Sequence, residues 1–165
     1  MNLIEKNKIE SINKFLISLC NSNLSTLKLI LADNSNCPDY ILELLADDED
    51  LAVKNYVAQN PNCNAETLHK LSKTKNVAIY SILNNKNCSL STLEYFSDQN
   101  DDHIKTLIAQ HKNCSSDLLR KFYPTKDFIL KCAIAKNPNC PTDIFKKINS
   151  KNPTIKSFLL KFTNR

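Results

Sequence analysis

The chain has 165 residues, 42% of them hydrophobic, enough for a buried core, and a formal net charge of +5. It contains no glycine and no tryptophan, which excludes phosphate-cradling loops of the G-x-G-x-x-G or G-x-x-x-x-G-K kind and a glycine-framed nucleophile elbow. No apolar run approaches the roughly 18 residues of a membrane span, residues 1–10 lack the pattern of a signal peptide, and seven cysteines, an odd number, predict reduced thiols in a cytoplasmic protein with no membrane partner.

Residues 1–10, with Ile4 and Ile9, predict a helical N-terminal cap. From about Ser11 the chain repeats itself. Cys37, Cys63, Cys88, Cys114 and Cys140 are spaced by 26, 25, 26 and 26 residues, a period that marks stacked repeats. Five residues after each cysteine stand Leu42, Leu68, Leu93, Leu119 and Phe145, and eight residues after stand Leu45, Leu71, Phe96, Phe122 and Ile148. With the residues four after (Ile41, Thr67, Thr92, Leu118, Ile144) they line one face of a short helix A. Upstream, Phe15, Leu16 and Leu19 fall in the same columns.

A second stripe precedes each cysteine. Val57, Ile82, Ile108 and Ile134 align, as do Val53, Ala78, Ile104 and Leu130 four residues earlier, giving one face of a helix B. Ala58, Ala109 and Ala135 follow the first of these columns and permit close packing between neighbours. Neither helix buries its face alone, so the pattern predicts an all-α solenoid of about six two-helix units of about 26 residues, forming a single domain over 1–165 with repeats from 11 to 165.

The corner between helix B and the next helix A reads NPNC at 60–63 and 137–140, loosening to N-x-N-C at Asn34–Cys37 and Asn85–Cys88 and to His111-Lys112-Asn113-Cys114. Asn36, Asn62, Asn87, Asn113 and Asn139 are expected to accept from N–H groups at the start of helix A or to hold the turn. Pro38 and Pro141 are expected inside its first turn, and Asn60, Asn85 and Asn137 at the end of helix B, where asparagine is the tolerated substitute for a left-handed glycine. One cysteine per unit suits neither a disulfide nor a shared zinc, because equivalent positions on stacked helices lie roughly 8–10 Å apart. The cysteines are therefore read as small structural residues, and no metal or other cofactor is expected.

An N-P-N-small-P corner, a Leu-Leu pair, an acidic turn and a Val-Ala-x-N-P segment together resemble the leucine-rich repeat variant family. The clearest copies are NCPDYILELLADDEDLAVKNYVAQNPN at 36–62 and AIAKNPNCPTDIFKKI at 133–148. The resemblance covers about residues 11–165. It implies a right-handed superhelix of paired short helices, one of each pair either α or 3₁₀, and says little about function. Cysteine stands where relatives often have threonine, and proline follows it only at Pro38 and Pro141. Some relatives carry a cysteine-rich iron–sulphur segment ahead of the repeats; residues 1–36 hold only Cys20, so that cluster is not carried over.

Among groups with chemical potential, His69 falls on the outer face of helix A, His103 at the head of a helix B, and His111 in a corner. Asp101-Asp102-His103 and Asp47-Asp48-Glu49-Asp50 read as acidic turns that suit the start of a helix B, and the chain reads as no enzyme.

Charge is the most informative surface feature. Residues 1–102 hold 9 Lys against 14 Asp and Glu, whereas residues 103–165 hold 13 Lys and Arg against 3 Asp. In the basic part Arg120-Lys121 and Lys146-Lys147 occupy equivalent places on successive A helices, with His69-Lys70 above them. Lys105 and Lys131 align on B helices, below Lys54. These residues form a predicted basic ladder. It suits a protein partner with an acidic surface and, as the alternative, nucleic acid, although with only two arginines bidentate contacts to phosphate are scarce.

The last unit crowds Ile155, Phe158, Leu159, Leu160 and Phe162 into eight residues. Phe158, Leu159 and Phe162 form either an apolar interface, for instance of a homodimer through the C-terminal end, or a terminal cap. The resulting expectation is a protein–protein interaction module, an adaptor or inhibitor that occupies a partner's surface.

Overall fold

The computed structural model of the chain describes residues 3–151 and 157. Among them every regular element is an α-helix, with neither strand nor 3₁₀ segment, so the short helices that the family resemblance left open are α. The chain divides into two compact units, Met1–Asn87 and Cys88–Arg165.

The first unit holds α1 (Leu3–Cys20), α2 (Ser25–Asp33), α3 (Asp39–Leu45), α4 (Leu51–Gln59), α5 (Ala65–Ser72) and α6 (Ile79–Asn84). The second holds α7 (Leu90–Ser97), α8 (Asp102–Gln110), α9 (Ser116–Phe122), α10 (Phe128–Lys136) and α11 (Thr142–Lys151). Odd-numbered helices carry the A columns and even-numbered helices the B columns. In the first unit α2, α4 and α6 stack in succession and α1 packs on α3; in the second, α10 packs on α8, α9 and α11. Helices of six to ten residues, such as α2–α11, are marginal alone, so packing must hold them.

The predicted columns form the core. Leu42, Leu68, Leu93 and Leu119 of the A helices are at most 1% exposed, as are Val57, Ile82, Ile108 and Ile134 of the B helices. Each such side chain contributes about 1.5–3 kcal/mol through the water it sheds. The polar Thr67 and Thr92 share this burial. The A helices are capped by the residue after the cysteine: Asn64, Ser89 and Ser115 accept from the N–H groups of Thr67, Thr92 and Leu118. The B helices are capped by the acidic turns, where Asp50, Asp101 and Asp127 accept from Ala52, from His103 and Ile104, and from Leu130.

Several expectations need correction. The helix expected over the N-terminal residues is continuous with the first A columns, as α1 runs unbroken from Leu3 to Cys20, and Phe15 is 62% exposed because that helix has a neighbour on only part of its surface. Pro38 is the N-cap of α3, one place before the first turn, with an extended ψ of 146°. Where the cysteine spacing drops to 25, α6 shrinks to six residues; Ala78 becomes its N-cap and Val77, outside the helix, supplies the buried side chain. Asn60, Asn85 and Asn137 end their helices with φ near −70° (−65°, −75° and −67°), in extended and not left-handed backbone. The one described residue with positive φ is Asn76, at 64°, in the loop ahead of α6.

Candidate binding surface

The corner asparagines bind the previous repeat. Asn60 Oδ1 accepts from its neighbour's N–H at Asn62 (2.9 Å), while its amide donates to the carbonyls of Ala32 (2.7 Å) and Asn34 (2.8 Å) one repeat earlier. Asn85 repeats this with Asn87, Ala58 and Asn60, and Asn137 with Asn139, Ala109 and His111. All three are buried. The small alanines of helix B let the amide reach the helix backbone. The second asparagine of the corner also reaches backward: Asn62, Asn87, Asn113 and Asn139 donate to the carbonyls of Cys37, Cys63, Cys88 and Cys114. The expectation that these residues accept from the head of helix A is therefore replaced by one in which they donate across the repeat boundary. His111 keeps the acceptor half of the role, its Nδ1 taking the Asn113 N–H at 3.1 Å.

The cysteines sit beneath these corners. Cys37, Cys63, Cys88 and Cys114 are at most 2% exposed, and Cys140 is half-buried. Burial pushes the thiols of Cys63, Cys88 and Cys114 up to about 12 and that of Cys37 to about 11, which keeps them from forming the nucleophilic thiolate.

The predicted basic ladder is laced with acids. Lys121 donates to Asp98 at 2.6 Å and to Ser97 Oγ at 2.9 Å, at the C-terminal end of the preceding A helix. Lys70 meets Asp47 at 2.7 Å in the same way. Arg120 turns the other way and grips Asp143 of the next A helix with two bonds, of 3.0 and 2.8 Å, which holds the Asp143 carboxyl below its usual range. Lys147 lies 3.8 Å from Asp143 and Lys105 3.8 Å from Asp102. Lys146 is exposed, and Lys131 half-buried on α10. The structure thus brings Lys105 and Lys121 together but leaves no continuous bare strip through Arg120 and Lys121. The unit boundary also softens the charge contrast: Met1–Asn87 carries 9 Lys against 10 Asp and Glu, and Cys88–Arg165 carries 13 Lys and Arg against 7.

Lys105 and Lys121 line a cavity of about 410 Å³ in the second unit, with Phe122 and Leu130 among its walls. In the first unit the column mate of Lys105, Lys28, makes an ion pair with Asp48 at 2.6 Å, the side chains being 15% and 10% exposed. Burial raises the Asp48 carboxyl, but hydrogen bonds from Lys28 and the Asp50 N–H and the charges of Lys28 and Lys54 outweigh it and hold the group below 3.8.

One feature escaped the sequence reading. Ile30, Tyr56 and Tyr80, on the stacked helices α2, α4 and α6, are 60%, 39% and 47% exposed. Ile30 and Tyr56 both stand seven residues before a cysteine, but Ala133 in the same register is buried, so the register alone gives no sign of exposure. In the second unit Ile129, at 63% exposure, lines a smaller cavity of about 190 Å³ on α8 and α10.

His69 is half-buried and His103 exposed, each on the helix expected. Phe158, Leu159 and Phe162, and with them the proposed C-terminal interface, lie outside the described residues. No described helix is long and apolar enough to cross a membrane. Comparison with family models, curated proteins and solved structures found no match to this chain.

Proposed function

We propose that the chain is a non-catalytic protein–protein interaction module, an adaptor or inhibitor that occupies a partner's surface. Its repeats are of the leucine-rich repeat variant kind, stacked as an α-solenoid. The observation that carries this reading is the row of Ile30, Tyr56 and Tyr80 along three successive stacked helices. Single exposed apolar residues are ordinary, but here one stands exposed on each of three successive stacked helices, and tyrosine is enriched where proteins meet. The corner asparagines and Lys121 are meanwhile engaged in holding repeats together, and the capping acids in closing the first turns of their own helices. Seven free thiols suit a reducing, cytoplasmic setting.

Nucleic-acid binding by the basic C-terminal half is the competing reading. It is weakened because Arg120 and Lys121, its centre, already pair with Asp143 and Asp98. The test is an affinity pull-down from native lysate, with and without nuclease, at two salt concentrations, using wild type and a Y56A/Y80A variant. One protein recovered stoichiometrically, indifferent to nuclease and moderate salt and lost with the double variant, is the expected result. Nucleic acid released by high salt would replace this reading with the other.

A further inference from the structure

The Lys28–Asp48 pair has a counterpart in the second unit with half of it missing. Lys28 and Asp48 are 20 residues apart on either side of Cys37, and Lys105 and Thr125 are 20 apart on either side of Cys114. Hydrogen bonding shows the same equivalence. Asp48 Oδ1 accepts from the Asp50 N–H at 2.8 Å, and Thr125 Oγ1 accepts from the Asp127 N–H at 3.0 Å, the donor in each case being the residue that caps the following helix. Asp48 has a second oxygen for the Lys28 ammonium. The threonine hydroxyl does the turn's work and brings no charge.

The cavity of about 410 Å³ opens at this position, lined by Thr125, Lys105 and Lys121 and by Ser97, Asp98 and Asp102. Lys121 is held at 2.6 Å by Asp98 and at 2.9 Å by Ser97. Lys105, its side chain 22% exposed, has Asp102 at 3.8 Å, beyond hydrogen-bonding distance. An ammonium so largely withdrawn from water gains from a close anionic acceptor. Lys131 occupies the column of Lys54, whose charge helps keep Asp48 ionised, so the second unit repeats both lysine positions that favour a carboxylate in the first.

We infer that this cavity accepts a carboxylate side chain, an Asp or Glu of the protein partner, in the place that the Asp48 carboxylate fills in the first unit. The inference rests on the interaction-module reading for the source of that carboxylate; the site itself is tested without the partner. The full chain, labelled with ¹⁵N, is titrated with the blocked peptide acetyl-Ala-Glu-Ala-amide and, as control, with acetyl-Ala-Gln-Ala-amide. The glutamate peptide should shift the amide signals of Thr125 and its neighbours with a Kd of about a millimolar, and the glutamine peptide should not. Lys105→Met should weaken binding about tenfold. Thr125→Asp should abolish it by supplying the carboxylate from within, while raising the thermal midpoint. Equal shifts from both peptides, no shift from either, or undiminished binding to Thr125→Asp would overturn the inference. A failed titration leaves the interaction reading to the pull-down, and a failed pull-down leaves the site to the titration.

Discussion

In the first unit the ammonium of Lys28 lies 2.6 Å from the Asp48 carboxylate with little water around either; in the second, Lys105 stands at the same point of the repeat and finds a threonine across from it. The turn is closed equally well by either residue, since both offer an oxygen to the N–H two places on. Backbone geometry therefore fixes the need for an acceptor but not its charge. One unit uses the liberty to seal a buried pair, while the other leaves two lysines beside a cavity. What the units share is the corner, and it should dominate the energetics of both.

The largest expected effect tests that shared part. Asn60→Ala and Asn137→Ala each remove one acceptor and two donors at a buried corner, stranding carbonyls of the preceding repeat. Each should cost about 3 kcal/mol or more, by urea denaturation. A much smaller loss in one unit would break the claim that both rest on the same corner.

Next comes the part that differs. Lys28→Met should cost about 2 kcal/mol, between the values for exposed and buried pairs, and Lys105→Met less than about 1 kcal/mol. The first loss should depend on pH. Asp48 titrates lower in the folded chain than its ordinary 3.8, so its contribution is complete above that value and disappears as pH falls through the folded pKa. Stabilities of wild type and Lys28→Met should converge as pH falls below 3.8, and a gap that stays constant down to the lowest pH at which the chain folds would show that the pair contributes nothing.

Cys63→Ser should destabilise by roughly 1–2 kcal/mol, more than Cys63→Ala, because a hydroxyl is harder to bury than a methyl. With thiols pushed up to about 12 by burial, Cys63, Cys88 and Cys114 should resist a thiol reagent at pH 8 in both units and react only as the chain opens. Smallest of all, Lys121→Ala should cost about 0.5 kcal/mol, since its pair with Asp98 is exposed, and thermal melting would register it as a shift of a few degrees at most.

The helices and their core were legible from the sequence because burial recurs at a fixed period: Leu42, Leu68, Leu93 and Leu119 announce themselves as a column. The direction of the asparagines was not. Asparagine both donates and accepts, so its place in the chain says that a turn is held but not by which end of the amide; the partners of Asn60 lie 26 and 28 residues back. The acids that lace the basic ladder were hidden for a related reason. Aligning Lys121 with Lys147 shows like with like, whereas Lys121 is neutralised by Asp98, 23 residues earlier, as Lys70 is by Asp47. That recurring interval of 23 was present in the sequence as a signal of pairing. Ile30, Tyr56 and Tyr80 escaped because an apolar residue in a helix reads as core until its neighbours are known.

The corner asparagine bonds that cross a repeat boundary all run one way: the donor belongs to the later repeat and the acceptor to the earlier one. A chain leaving the ribosome makes its acceptors first. When the corner at Asn60 emerges, the carbonyls of Ala32 and Asn34 have already been made, and each later corner within a unit meets a template already in place. The repeats can therefore zip up in the order of their translation, with each new corner locking onto the one before it and never waiting for the one after.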